Sequence, residues 1–247
     1  MNPARTLIGV GVATIVALAG CDNDVAATPE DSTTPTVAGT TDTVPVRPGD
    51  RPSDLVGFRG PLEPGRYSMA AWGPEGQDRL PRAILEVPEG YFSNGGWAVD
   101  AGGPGELEQL GEVMVWPVTH VFTDPCDTRP TRVGPTVRDL ARALADQTGT
   151  TTTRPRAVTL DGHRGLYLEL TTGETHAGCT SLDLWHSAPD NDYGQDTGGI
   201  VHHLWILDVD GTRLVVAVSN YPDQTPAQHQ ELIDIAETIH FTEPTGS

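Results

Sequence analysis

The sequence predicts an α+β domain: a mostly antiparallel β-sheet with two main helices packed on it. Three observations carry this. Short runs rich in β-branched and aromatic residues recur along the C-terminal three-quarters of the chain. Two pairs of these runs are joined by Asp-Gly, the turn of tight antiparallel hairpins. Only two stretches repeat apolar residues with helical spacing, and strand and helix do not alternate as a parallel sheet requires.

Taken in order, 66–72 (RYSMAAW) and 82–87 (RAILEV) read as short strands, and 97–100 as another. The run 112–122 (EVMVWPVTHVF) is strongly β-prone, and Pro117 inside it implies an edge position or a bulge. Strands 156–160 and 164–171 flank Asp161-Gly162. In the second of these, Leu166, Leu168 and Leu170 share one face, with Tyr167 and Glu169 on the other. Strands 201–209 and 213–219 flank Asp210-Gly211 in the same way. One helix spans 136–147: Pro135 precedes it, Thr136 caps it, Asp139 completes a capping box, and Val137, Leu140, Ala141 and Leu144 form its stripe. The other spans 226–240, with Thr225 as cap, Pro226 in the first turn, Gln228 in the box, and Leu232, Ile235, Ala236 and Ile239 as its buried stripe.

The N-terminus carries a different message. Arg5 closes a short positive segment, 6–17 is apolar but too short to span a bilayer comfortably, and Leu18-Ala19-Gly20-Cys21 follows. That tetrad resembles the lipobox of bacterial lipoproteins. The resemblance implies that residues 1–20 are a signal peptide and that Cys21 becomes the lipid-modified N-terminus. Two acyl chains would anchor the protein firmly, since each buried CH₂ contributes about 0.8 kcal/mol. Residues 21–60 are rich in Thr, Pro, Asp and Ala, cannot bury enough surface to offset ordering entropy, and read as an extended tether. Residues 61–247 read as a single α+β domain.

Every one of the 15 basic residues is arginine, against 34 acids. Loss of Arg5 with the signal peptide takes the formal charge from −19 to −20. Such a charge disfavours nucleic acid and anionic lipid surfaces, so a covalent lipid rather than a basic patch is the expected membrane attachment. The missing lysine excludes Schiff-base chemistry, a P-loop and Ser–Lys catalysis. Of the three cysteines, Cys126 and Cys179 remain as an even pair outside the cytoplasm, where disulfides persist. A Cys126–Cys179 bridge closes a loop of roughly 54 residues, worth about 4 kcal/mol in the chain-entropy description.

Two sets of motifs carry a further resemblance. Val87-Pro88-Glu89-Gly90-Tyr91 at a strand end resembles the Pro-x-Gly-Trp turn of Mog1/PsbP-like domains, with Tyr91 in place of the usual Trp. The C-terminal order of hairpin, helix and short Phe-containing strand is similar to that fold too. Asp124-Pro125-Cys126, the run from Gly134 to Leu140, Leu160-Asp161-Gly162 and the run from Leu204 to Gly211 resemble a family of actinobacterial secreted or lipid-anchored proteins of unknown function. The likeness covers about 65–241. It implies binding or accessory modules and brings no catalytic motif.

No GxSxG, SxxK, HExxH or CxxC pattern is present. A triad assembled from distant residues is the form a hydrolase would take. His202 and His203 are adjacent, so on a strand they point to opposite faces; His163, His176 and His186 can converge only through the fold. The stretch 189–199 holds Asp190, Asp192 and Asp196, oxygen ligands at intervals that suit Ca²⁺. Gly194 and Gln195 break the EF-hand pattern, and the stretch reads as a solvated acidic loop. The five tryptophans read as core, or as the lining of a groove for sugar or peptide. The expectation is a non-catalytic binding or accessory module on the outer face of the cytoplasmic membrane, with an envelope protein or peptide as partner and no cofactor. A hydrolase with a scattered site and a Ca²⁺- or Zn²⁺-dependent sensor are the alternatives.

Overall fold

In the computed structural model, residues 52–243 are described except for 73–78, 103–110, 127–128, 176–177, 180 and 188–190. The expected signal peptide, Cys21, most of the expected tether, His176 and Asp190 therefore lie outside the described residues. Two Asp-Gly turns organise the centre of the molecule. Asp161 (φ 48°) with Gly162 (φ 79°), and Asp210 (φ 50°) with Gly211 (φ 86°), have both central residues left-handed, the conformation that matches strand twist in a two-residue hairpin.

The described strands are β1 (Ser53–Asp54), β2 (Arg59–Pro61), β3 (Gly65–Met69), β4 (Arg82–Val87), β5 (Tyr91–Asn94), β6 (Ala98–Ala101), β7 (Glu112–Trp116), β8 (His120–Phe122) and β9 (Pro130–Arg132). After α1 (Val137–Ala145) come β10 (Thr150–Thr152), β11 (Arg156–Leu160), β12 (His163–Thr172), β13 (Leu182–His186), β14 (Asp192–Gln195), β15 (Val201–Val209) and β16 (Thr212–Asn220). Then follow α2 (Pro226–Glu237) and β17 (His240–Thr242). The largest sheet runs β10-β12-β15-β16-β7-β6-β5-β2, with β11 also paired to β12. Two four-stranded sheets accompany it, β1-β3-β4-β17 and β14-β13-β8-β9. All these pairs are antiparallel except β1 with β3.

Alternation along the central strands sorts the core into two clusters. Val99, Val113, Val115, Trp205, Leu207, Val216 and Val218 join Tyr67, Leu85 and Val87 of β3 and β4 and Leu232, Ile235, Ala236 and Ile239 from α2 and the residues after it. The neighbours of opposite parity, among them Met114, Trp116, Leu168, Leu170, Leu204, Ile206 and Ala217, join Leu140, Ala141 and Leu144 of α1 and Leu184, Trp185 and Tyr193 of β13 and β14. Both faces of the large sheet are thus buried. Both capping boxes form, Thr136 with Asp139 and Thr225 with Gln228.

The structure corrects three expectations of detail. Folded chain begins earlier than residue 61: Ser53–Asp54 and Arg59–Pro61 pair into sheets, and Leu55 is buried. The apolar Leu55 has a site in the core. The run 112–122 is two strands in different sheets, because Pro117 cannot extend the ladder and the chain turns there. The acidic stretch 189–199 contains β14, whose buried residues Tyr193 and Gln195 alternate with exposed Asp192 and half-buried Gly194.

Candidate functional site

Strand register lines up polar residues across one face of the large sheet. Asp100 on β6 stands opposite Glu112 on β7, Glu112 opposite Ser219 on β16, and Ser219 opposite His202 on β15. Residues opposite one another on antiparallel strands have neighbouring side chains. Tyr193 of β14 sits over the row and links it. Its hydroxyl donates to Glu112 Oε1 at 2.7 Å, receives from Gln195 Nε2 at 2.6 Å and meets Ser219 Oγ at 2.8 Å. His202 Nδ1 lies 2.9 Å from the same Oγ. With each hydroxyl donating once, the bonds run from His202 through Ser219 and Tyr193 to Glu112.

Aromatic rings roof the network. Trp185 stacks on Tyr193 at 4.5 Å, Trp116 meets both edge-on, and Trp72 and Trp97 continue the chain of rings towards half-buried positions. Ser219 and His202 have no exposed surface, and Glu112 only 5%. Burial, reinforced by the neighbouring Asp100 charge, raises Glu112 to about 7 against the hydrogen bonds from Tyr193 and Gln195. Burial raises Asp100 to about 7 as well. Burial, and then His203, lowers His202 to about 3, so this imidazole is neutral at pH 7. A serine, a histidine and a carboxylate are therefore brought together, but inside the protein. A nucleophile must reach a substrate carbonyl, and this hydroxyl is spent between two buried partners.

On the other face, His203 Nδ1 lies 2.6 Å from Tyr167 Oη, which donates to Glu169 at 2.9 Å, while Arg156 covers the Tyr167 ring. The two adjacent histidines thus do face apart. His163 packs edge-on against Phe241, and His186 sits in a different sheet, so these two do not converge. Of the candidate calcium ligands, Asp192 accepts from His186 Nδ1 at 2.5 Å, and Asp196 is exposed beyond the end of β14. Among the described residues no three His, Cys, Asp or Glu side chains are grouped to hold an ion. Cys126 and Cys179 lie at disulfide distance, with Cα atoms 5.2 Å apart.

The open concave feature of greatest chemical interest lies between α2 and the β3–β4 hairpin. It is a cleft of about 480 Å³ with Pro64, Val87, Pro88 and Ile235 in its walls. Arg66, Glu86, Glu231 and Asp234 stand around it. Glu86 N–H donates to Thr238 Oγ1 at 2.9 Å, tying β4 to the end of α2. The sequence signals for this site were the α2 stripe and the Pro88 turn; their juxtaposition needed the fold.

The class so defined is a sheet-dominated α+β domain with two helices, an internal polar network and an apolar, acid-edged cleft. No protein-family model and no curated protein matches the chain. Among solved structures it is similar to the cyanobacterial PsbP (CyanoP) of Synechocystis sp. PCC 6803, at 14% identity and a TM-score of 0.35 over 73% of this chain and 93% of that one.

Proposed function

We propose that this chain is a lipid-anchored, extracytoplasmic binding module of the bacterial envelope, without catalytic activity. In this reading acylated Cys21 holds it to the outer face of the cytoplasmic membrane, and its cleft takes a cationic, partly apolar segment of an envelope protein or peptide. The cleft carries the reading. Its walls are apolar, and three carboxylates against one guanidinium stand around it, on a chain with a formal charge of −19. Apolar walls supply affinity, while an acidic edge selects a basic partner and repels nucleic acid. The closed Ser219–His202 pair supports a binding role over hydrolysis. A Mog1/PsbP-like assignment belongs to the same proposal. It is supported by the succession β15, β16, α2 and β17, and by the turn after Val87, whose Pro88 lines the cleft.

A synthetic peptide alternating arginine and leucine tests this by fluorescence anisotropy on the mature chain in detergent. The peptide is expected to bind, more weakly as salt is raised. Glu231→Arg combined with Asp234→Arg should weaken it by about tenfold or more, equivalent to about 1.4 kcal/mol. Glu174→Arg, at an exposed site outside the cleft, should change it little. Equal binding of a glutamate–leucine peptide, or equal loss in the Glu174 variant, would remove the cleft from the account.

A further inference from the structure

The sheet β14-β13-β8-β9 carries a second row of side chains, independent of the cleft. His186 on β13 stands directly opposite His120 on β8 and Asp192 on β14, and Arg132 on β9 stands opposite His120. The two imidazoles are 5.0 Å apart, centre to centre, at 86°. A tetrahedral ion bound by two imidazole nitrogens at about 2.0–2.1 Å needs ring centres at about that separation.

Hydrogen bonds decide which ring nitrogens are bare. His186 Nδ1 lies 2.5 Å from Asp192 Oδ1, and a carboxylate only accepts, so the proton is on Nδ1 and the lone pair on Nε2. His120 Nδ1 lies 2.9 Å from Thr119 Oγ1. That hydroxyl has one proton, and it already faces the carbonyls of Ser187 at 3.0 Å and His186 at 3.3 Å. With that proton given to the Ser187 carbonyl, the hydroxyl accepts from His120, and the same tautomer results: proton on Nδ1, lone pair on Nε2. Metal-binding histidines are held in this way, with the second nitrogen donating to an oxygen that fixes ring and tautomer. Asp192, exposed beside His186, offsets the Arg132 charge that a cation would meet.

We propose that His120 and His186 bind a first-row transition-metal dication through their Nε2 atoms, with water in the remaining positions and Asp192 as the residue that positions His186. Paired imidazoles suit Zn²⁺, Cu²⁺ and Ni²⁺; Ca²⁺ and Mg²⁺ require oxygen ligands. The acidic stretch that suggests calcium thus contributes an orienting carboxylate to a nitrogen site. The strongly negative chain also concentrates dications near its surface.

Calorimetric titration of the mature chain with Zn²⁺ is the test, with long-range ¹⁵N–¹H spectra of the histidine rings alongside. One Zn²⁺ should bind and shift the Nε2 resonances of His120 and His186 together, with excess Mg²⁺ failing to compete. His120→Gln, at a half-exposed position whose loss leaves the core intact, should weaken Zn²⁺ by at least about tenfold, and Asp192→Asn by about tenfold. His163→Gln, at the far hairpin, should not weaken it. Unshifted ring resonances, undiminished affinity in His120→Gln, or an equal loss in His163→Gln would overturn the proposal.

Discussion

Glu112 heads a strand of otherwise apolar residues, and its carboxyl is held to about 7 by burial and by Asp100, against an ordinary value of 4.5. The fold therefore binds these protons more tightly than the unfolded chain does. Linkage fixes the sign: the contribution of the acid pair is fully present below about 4 and is lost as pH rises through about 7. His202 acts in the opposite sense. Its pKa falls from 6.5 to about 3, so its contribution is present above 6.5 and is lost as pH falls towards 3. Glu112→Gln keeps the shape and removes the titration. Its melting temperature relative to the parent should rise progressively from pH 4 to pH 8, measured by circular dichroism. A constant difference across that range would mean that Glu112 does not titrate in the fold. None of this network is legible as a motif, because Tyr193 is 81 residues from Glu112 and 26 from Ser219. The available signal was parity: Glu112, Ser219 and His202 are polar residues on the inward-facing side of strands whose other inward residues are apolar.

Elements were legible where they are stabilised locally. Thr136 with Asp139, and Thr225 with Gln228, set two helix starts within four residues of chain. Asp161-Gly162 and Asp210-Gly211 set two hairpins through backbone conformation alone. Pro226 sits in the first turn of α2, where its missing N–H costs nothing. The elements that escaped are short and exist through their partners. β14 lies in text rich in Asp and Gly, and its pairing with β13 and the burial of Tyr193 outweigh the weak propensity of those residues. β9 and β10, three residues each, likewise depend on neighbours distant in sequence. The Cys126–Cys179 pair joins segments beside β8 and β13, which are themselves paired. Reduction should add two hydrogens to the intact mass of the mature chain. Replacing both cysteines by serine should lower stability by about 4 kcal/mol in urea denaturation, the loop-entropy value for a separation of 53 residues. Two thiols freely alkylated in the native protein would contradict the pairing.

At the scale of the whole molecule, the large sheet is buried on both faces and its reactive-looking trio of Ser219, His202 and Glu112 lies inside. What the domain presents to its surroundings, on a chain of formal charge −19, is an acid-edged cleft beside α2 and half-exposed His120 of β8, with its partner His186 of β13 largely buried behind it. Under the proposed function these features hold a partner rather than transform it. A holding protein gains from being fixed in place, since anchorage raises the local concentration of whatever shares its membrane. The proposed role therefore turns on Cys21. The direct measurement is acyl labelling of the full chain in a bacterial host, with fractionation and intact mass, for the parent and for Cys21→Ser. The parent is expected to carry label, associate with the membrane and show a mass that begins at a diacylated Cys21, and Cys21→Ser is expected to lose all three. Label retained by Cys21→Ser, or an unlabelled parent released from the membrane, would contradict it.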